Sequence, residues 1–179
     1  NRDIVIYKVD ANGNMLFQRA LGSDSLDNGY CVRENDNGDV AIVGWTRSQG
    51  NDALLTILDG SDGTPVALRS FGGNGDDRIF AMAPRGTSGA LMAGQSNSFG
   101  ATDNELLLMG TDNNGDLDFA FTLGGPGVKT ASQMIPTLID EVVVFGNTGG
   151  TKGLIASVNT LNGTVTSQMS IGTTGTDIA

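Results

Sequence analysis

The sequence predicts an all-β fold, a β-propeller built of four-stranded antiparallel blades. Two observations carry the prediction: glycines recur at constant spacing, and strand-like runs bounded by turn residues lie between them. The first glycine of each repeat follows Asn or Asp, and nine residues later comes a second. In three copies a third glycine follows after a further 22 residues. These glycines are Gly13, Gly63, Gly115 and Gly163, then Gly22, Gly72, Gly124 and Gly172, then Gly44, Gly94 and Gly146.

The interval from the third glycine to the next repeat is the variable one, at 19, 21 and 17 residues. The unit is therefore about 50 residues long, a period typical of propellers and other repeat arrays. We expect one domain over 1–179 with about 3.5 repeats, forming an incomplete or small ring. The predicted units are an outer hairpin at 3–22, full repeats at 23–72, 73–124 and 125–172, and the start of another unit at 173–179. A β-solenoid and a β-sandwich are the alternatives, but a sandwich does not predict constant intervals.

Each repeat contains four strand-like runs. The third run, as in 4–9, precedes the Asn-Gly or Asp-Gly pair, which is a strong signal for a hairpin turn. The fourth run ends at the second glycine, and its apolar residues mostly alternate, as in a strand with one buried face. Arg19 and Arg69 interrupt this alternation, and we expect them near a sheet edge with their aliphatic stems packed.

The first and second runs follow a glycine-rich link. The second runs, at 40–43, 90–93 and 142–145, are continuously apolar, so we expect them to be the most buried strands. The third glycine of each repeat comes directly after this run. A residue without a side chain suits a crowded approach near a propeller axis.

These residues resemble the bacterial β-propeller repeats of the SBBP and related types. The resemblance rests on the segment from Asp3 to Gly22 and on the link Ser70-Phe-Gly-Gly-Asn-Gly-Asp-Asp77. It implies a propeller in secreted or cell-surface bacterial proteins and no shared catalytic residue. The sequence departs from the family where the fourth strand usually carries Trp. Those positions are Phe17, Ala67, Phe119 and Ser167 here.

Composition excludes several classes of function. The net charge is −10, which opposes binding to nucleic acid or to anionic lipid. No apolar run approaches the length of a membrane span, so we expect no membrane insertion. The chain has no histidine and one cysteine, which removes Ser-His-Asp triads, histidine-bound zinc and thiolate cages. We therefore expect no catalytic residue and no cofactor.

Calcium is the one cofactor for which a weak candidate exists. Asp112, Asn114 and Asp116 place oxygen atoms at alternate positions, a pattern that suits a hard cation. Leu117 and Leu123 stand where an EF-hand loop needs its Gly and Glu. A hairpin turn explains the same residues in every copy, so both interpretations stay open.

The variable interval begins with a loop in which binding residues are most readily placed. Its candidate ligand-binding residues in the three full repeats are Trp45, Arg47, Gln95, Asn97 and Asn147. We expect Trp45 to be an exposed loop aromatic that stacks on a sugar or contacts a protein. Drift in unconstrained loops is the alternative.

The function predicted from the sequence is a non-catalytic module, extracellular or at the cell surface, that serves as a binding or structural scaffold. The partner is expected to be a protein or a glycan. The alternatives are a non-catalytic part of a larger secreted enzyme and a subunit that assembles edge to edge into a ring or filament. The order of runs begins in a third strand, which predicts completion by the remainder of the same polypeptide, by a second copy, or by imperfect closure.

Overall fold

The computed structural model describes residues 2–47, 50–85, 89–99, 101, 103–124, 129–138, 140–149 and 152–172. In these residues the chain forms three four-stranded sheets and one two-stranded sheet, and every pair of neighbouring strands is antiparallel. The strands are β1 (Ile4–Val9), β2 (Met15–Leu21), β3 (Asp27–Glu34), β4 (Val40–Arg47), β5 (Asn51–Leu58), β6 (Pro65–Phe71), β7 (Asp77–Pro84), β8 (Ala90–Ser96), β9 (Glu105–Thr111), β10 (Leu117–Leu123), β11 (Thr130–Leu138), β12 (Glu141–Asn147), β13 (Gly153–Asn159) and β14 (Val165–Ile171).

Each sheet follows the chain from strand to strand. We call β1–β2 the hairpin unit, β3–β6 blade 1, β7–β10 blade 2 and β11–β14 blade 3. The predicted all-β propeller fold with four-stranded antiparallel blades is confirmed. The single-domain assignment and the repeat boundaries stay predictions, and the unit expected to start at 173–179 lies outside the described residues.

The first glycine of each repeat closes the turn between the third and fourth strands. Gly13, Gly63, Gly115 and Gly163 all have a positive φ, between 72° and 83°. A side chain disfavours that conformation, so the Asn-Gly and Asp-Gly pairs are required by the turn geometry.

The third glycine of each repeat lies opposite a β-bulge on the first strand. The register between first and second strands shifts at 29–31, 79–81 and 131–133, directly beside Gly44, Gly94 and Gly146. A Cβ on any of the three glycines would overlap a carbonyl oxygen of the neighbouring first strand. The expected crowding is therefore real, but it comes from the bulged neighbouring strand.

Successive units pack face to face through apolar side chains. We call the side of a unit that contacts the following unit its front face, and the opposite side its back face. Leu55 and Ile57 on the front of blade 1 pack with Leu107 and Met109 on the back of blade 2. A second cluster joins blade 2 to blade 3, and a third joins the hairpin unit to blade 1.

The prediction that the second strands are the most buried is wrong for blade 3. Strand β4 is buried over most of its length, but β12 alternates between buried and half-buried residues. The third strands β5 and β9 are buried as completely as β4. Burial here depends on whether both faces of a blade are covered, and the front of blade 3 is covered less than the fronts of blades 1 and 2.

Candidate functional site

The loops after the second strands meet the links that precede the first strands at one end of the blades. The Arg47 backbone N–H donates to the Leu26 carbonyl at 2.9 Å, and Asn97 makes the same contact with Asp76 at 3.2 Å. A bridge also pairs Asn51 with Asp76. We call this end the loop face. It is the end at which the sequence placed its candidate binding residues.

Asp76 is the centre of a polar cluster on the loop face between blades 1 and 2. Its carboxylate accepts a hydrogen bond from Asn51 Nδ2 at 2.8 Å and one from Arg78 Nε at 2.7 Å. Its backbone N–H donates to the Asn97 Oδ1. The side chains of Asp76 and Arg78 are both 28% exposed, so this ion pair is partly shielded from water. The cluster therefore holds the Arg78 guanidinium at a fixed position on the loop face.

Trp45 is not the exposed loop residue that the sequence predicted. It lies inside β4, is 6% exposed, and pairs across the sheet with Asn28 and Ala53. Strand β4 continues to Arg47, because Arg47 pairs with Asn51 and the loop starts later than expected. The Arg78 guanidinium lies over the indole ring, 5.1 Å from its centroid. Trp45 therefore supports Arg78, and a sugar could stack on that ring face only by displacing the guanidinium.

Tyr30 is the exposed aromatic residue of this cluster, and sequence reasoning missed it. Its hydroxyl accepts a hydrogen bond from Trp45 Nε1 at 3.3 Å, and its ring meets Phe80 edge to face at 5.0 Å. Tyr30 is 50% exposed. Both aromatic residues occupy the bulge of their first strands, a constant distance before Gly44 and Gly94. That constant spacing was the signal that could have identified them.

The remaining predicted residues divide between the cluster and other places. Gln95 is half-buried and pairs across the sheet with Arg78, and Asn97 binds the link of blade 2. Arg47 is exposed and its Nε is 3.4 Å from Asn51 Oδ1. Asn147 is exposed at the end of β12, and within the described part of the chain we find no contact that joins it to the cluster. The structure thus brings four of the five together.

Buried carboxylates organise the links beside this cluster. Asp77 is fully buried and accepts hydrogen bonds from the hydroxyls of Ser96 and Ser98, the latter at 2.6 Å, and from the Gly73 N–H at 3.0 Å. Asp27 holds the equivalent link of blade 1 and accepts from the Ser23 N–H at 2.8 Å. A buried carboxylate is stable when several donors bind it, so Asp27 and Asp77 hold the backbone of these links in a fixed conformation beside the loop face.

The candidate calcium residues Asp112, Asn114 and Asp116 lie at the end of the blades opposite the loop face. There the Asp112 carboxylate takes part in the hydrogen bonds of a turn. Asp112 Oδ1 accepts from the backbone N–H groups of Asn114 and Asp116, at 2.8 and 2.9 Å. Asp116 is paired with Arg69 at 2.9 Å. The N–H of Asp116, ahead of the other donors, lowers the pKa of Asp112 below its ordinary value of 3.8. These contacts favour the turn interpretation, and calcium binding stays an untested prediction.

Other copies of that turn use the same device. Asp10 accepts hydrogen bonds from the N–H groups of Asn12 and Asn14, both at 2.8 Å. Asp59 accepts from the Ser61 N–H at 2.8 Å. Among the described residues, no group of three or more His, Cys, Asp or Glu side chains is placed to hold a metal ion.

A cleft lies between blades 1 and 2 at the turn end. Its floor includes Leu55, Ile57 and Met82, and Arg33 and Asn113 lie on its polar rim. The free volume is about 70 Å³. Pockets for drug-sized molecules have volumes of roughly 300 Å³ or more, so this cleft suits a few water molecules.

The comparisons with known proteins establish the fold and nothing finer. No protein-family model matches the chain, and no curated protein matches it. Among solved structures, the chain is similar to BamB from Moraxella catarrhalis, a β-propeller, with a TM-score of 0.57 and 16% identity. The match covers 92% of this chain and 42% of the BamB chain. In the described part of the chain, we find no helix that is long and apolar enough to span a membrane.

Proposed function

We propose that the protein is a non-catalytic β-propeller module that binds a protein partner through the loop face between blades 1 and 2. The observation that supports this is the exposed ring of Tyr30, held by Trp45 and Phe80 beside the clamped Arg78. Tyrosine and arginine are the residues over-represented among the energetic centres of protein interfaces. A rigid aromatic ring loses little conformational entropy when a partner covers it.

The proposed location is extracellular or at the cell surface of a bacterium. The resemblance to SBBP-type repeats supports it. A net charge of −10 favours partners with a basic surface and speeds their association at low salt.

The test compares wild type with Tyr30→Ala and with Tyr7→Ala as a matched control. Tyr7 is 58% exposed on β1 and takes no part in the cluster that surrounds Tyr30. Each protein is immobilised at low density and exposed to the displayed secreted and surface proteins of the source organism, and in parallel to a glycan array. We expect a protein ligand whose affinity falls at least tenfold with Tyr30→Ala and is unchanged with Tyr7→Ala.

Two outcomes would contradict the proposal. Ligands that bind all three proteins equally would mean that Tyr30 is not at the interface. Binding by glycans alone would assign the same surface to a sugar instead of a protein.

A second candidate function is a structural scaffold without a ligand. It is supported by the hydrogen bonds that the polar groups of the cluster already form with one another. The Asp76 carboxylate already accepts hydrogen bonds from Asn51 of blade 1 and Arg78 of blade 2. If the cluster only joins the blades, Asp76→Ala should lower the unfolding temperature and Tyr30→Ala should leave every measured binding curve unchanged.

A further inference from the structure

Phe99 is an exposed aromatic residue in the loop between β8 and β9 on the loop face. It is 69% exposed, more than any other large apolar side chain among the described residues. One edge of its ring lies over the link of the same blade, where a Cβ on Gly73 would be 3.8 Å from Phe99 Cε1. Phe99 does not belong to the apolar clusters through which the described parts of the blades pack. Blade 2 has a neighbouring unit on both sides, so this exposure is a property of the loop itself.

The backbone at Phe99 has a conformation that a bulky side chain disfavours. Its φ is 53°, in the left-handed region. Phe99 is the second residue of a turn in which the Ala101 N–H donates to the Ser98 carbonyl at 3.1 Å. Glycine, asparagine and aspartate are the usual residues where a turn needs a positive φ at this position. Phenylalanine is therefore a departure from turn chemistry that folding alone does not explain.

Hydrogen bonds fix the buried residue that precedes Phe99. The Ser98 hydroxyl donates to the Asp77 carboxylate at 2.6 Å and accepts from the Gly75 N–H at 3.0 Å. The Ser98 N–H donates to the Ser96 hydroxyl at 3.1 Å. Strained residues persist where the surrounding structure holds them, and these contacts provide that support. The ring is thus presented at a fixed position, so little conformational entropy is lost when a partner covers it.

The other full repeats have no apolar residue at this position. Counted from the third glycine of each repeat, the residues equivalent to Phe99 are Gln49 and Thr151. The repeat pattern therefore does not require a phenylalanine in this loop. A single exposed aromatic residue is ordinary, but one that is also strained and takes no part in joining the blades points to a contact with another molecule.

The charges around Phe99 define the kind of partner that fits. The sequence of the link and loop of blade 2, 72–77 and 97–105, contains no lysine or arginine and four acidic residues, which are Asp76, Asp77, Asp103 and Glu105. Asp76 is paired with Arg78, and Asp77 is buried. The ammonium nitrogen of Lys129, in the next link, is buried as well. A partner therefore meets the negative charges of the exposed Asp103 and the half-buried Glu105 beside the ring.

We infer that Phe99, with Asp103 and Glu105, binds a protein segment in which an apolar side chain is flanked by Lys or Arg. The apolar side chain would pack on the exposed face of the ring, and the basic side chains would pair with the two carboxylates. This inference rests on the function proposed for the loop face, because both need a protein partner. It gives that surface a second anchor, since Asn97 of the same loop binds the backbone of Asp76, whose carboxylate holds Arg78.

The experiment selects displayed random peptides on the wild-type protein at low salt and measures the affinity of the sequenced peptides by fluorescence polarisation. We expect the enriched peptides to carry Lys or Arg beside an aromatic or large aliphatic residue, and to bind more weakly as salt is added. Phe99→Asn should lower their affinity by roughly tenfold or more, whereas Phe99→Tyr should retain it. Leu117→Asn is the matched control and should bind as wild type, because Leu117 is an exposed apolar residue of the same blade at the turn end.

Thermal unfolding of the same variants separates a binding role of Phe99 from a structural one. Asparagine accepts a positive φ more readily than phenylalanine, so Phe99→Asn should leave the unfolding temperature unchanged or raise it. A clear fall in the unfolding temperature would show that the ring supports the fold, and the inference would then be wrong.

Several binding results would also overturn the inference. Selection that enriches no peptide, or only acidic peptides, would contradict the expected contacts. Binding to phosphatidylcholine vesicles that is lost with Phe99→Asn would assign the ring to a membrane. Tyr30→Ala distinguishes this inference from the function proposed for the loop face. Peptides that lose affinity with Tyr30→Ala but not with Phe99→Asn would refute the role of Phe99 alone, and the opposite result would refute the role of Tyr30 alone.

Discussion

Replacing Gly94 with alanine is expected to destabilise the protein strongly, although Gly94 has no unusual backbone conformation. The new Cβ would overlap the carbonyl oxygen of Arg78 and would lie 2.7 Å from its carbonyl carbon and 2.8 Å from the Ile79 Cα. All three atoms are backbone atoms of β7, so no flexible side chain can move away. Either the bulge in β7 or the β7–β8 pairing has to shift.

The geometry sets limits on how much Gly94→Ala lowers the free energy of unfolding. Overpacking a dense interior costs about 1–3 kcal/mol, and more when backbone must move. Because the obstruction here is backbone on one side of a fully paired strand, we expect about 3 kcal/mol. For a protein of this length each kcal/mol lowers the unfolding temperature by roughly 2–4 °C. The expected loss is therefore about 6–12 °C.

Gly153→Ala is the matched control for this experiment. Gly153 also lies in a strand, but the nearest atom to its added Cβ is the Ile171 carbonyl oxygen at 3.8 Å. Alanine there should leave stability unchanged or raise it by about 0.5 kcal/mol, since glycine loses more entropy on folding. Urea and thermal unfolding followed by circular dichroism measure both variants. If the two alanine variants differ by less than about 1 kcal/mol, the lower limit of the overpacking cost, the steric argument is refuted.

Three further predictions concern the carboxylates. Asp77→Ala should cost about 3 kcal/mol in urea unfolding because it leaves the buried hydroxyls of Ser96 and Ser98 without their acceptor; a loss below 1 kcal/mol would contradict this. The free energy of unfolding should fall as the pH drops below about 4. The Asp116 N–H lowers the pKa of Asp112 in the folded state. The stabilisation by Asp112 is therefore complete above its unfolded-state pKa and is lost as the pH falls through its folded-state pKa. Thermal unfolding from pH 6 to 2 should show this decline, and a flat profile would count against it. Adding a chelator should leave the unfolding temperature unchanged, because turn amides occupy the Asp112 carboxylate; a drop would support the calcium interpretation.

The fold was predictable because its strongest signals are local. Asn-Gly and Asp-Gly turns at fixed spacing need only backbone conformation, which the residue type dictates. Alternation in the fourth strands also follows from residue type, and β2 and β6 show the same burial pattern. The degree of burial was less predictable because it depends on the neighbouring unit. The apolar run of β12 looks like that of β4, yet it alternates because one of its faces is covered less.

The grouping of the candidate residues was partly predictable, and that they bind a ligand stays a prediction. Variable loop length selected five residues, and the structure brings four of them into one cluster on the loop face. It could not show that Trp45 supports Arg78, because that contact joins different blades and has no sequence signal. Tyr30 was missed for a related reason. It follows a glycine that the register shift makes part of a bulge, and a bulge changes which face of a strand a residue lies on.

The constant and variable intervals differ because of what each glycine touches. In each of the three blades the turn glycine lies under a side chain of the preceding unit, as Gly63 does under Phe17. The third glycine lies against a bulge in its own blade, as Gly94 does against the β7 backbone. An insertion inside either constant interval would move one glycine away from its fixed contact and shift a strand by one position, which exchanges its buried and exposed faces. An insertion in the variable interval lengthens a loop on the loop face and leaves both contacts intact. Selection for folding alone therefore fixes two intervals and leaves the third free. A binding surface at that loop can change without lowering the stability of the blades.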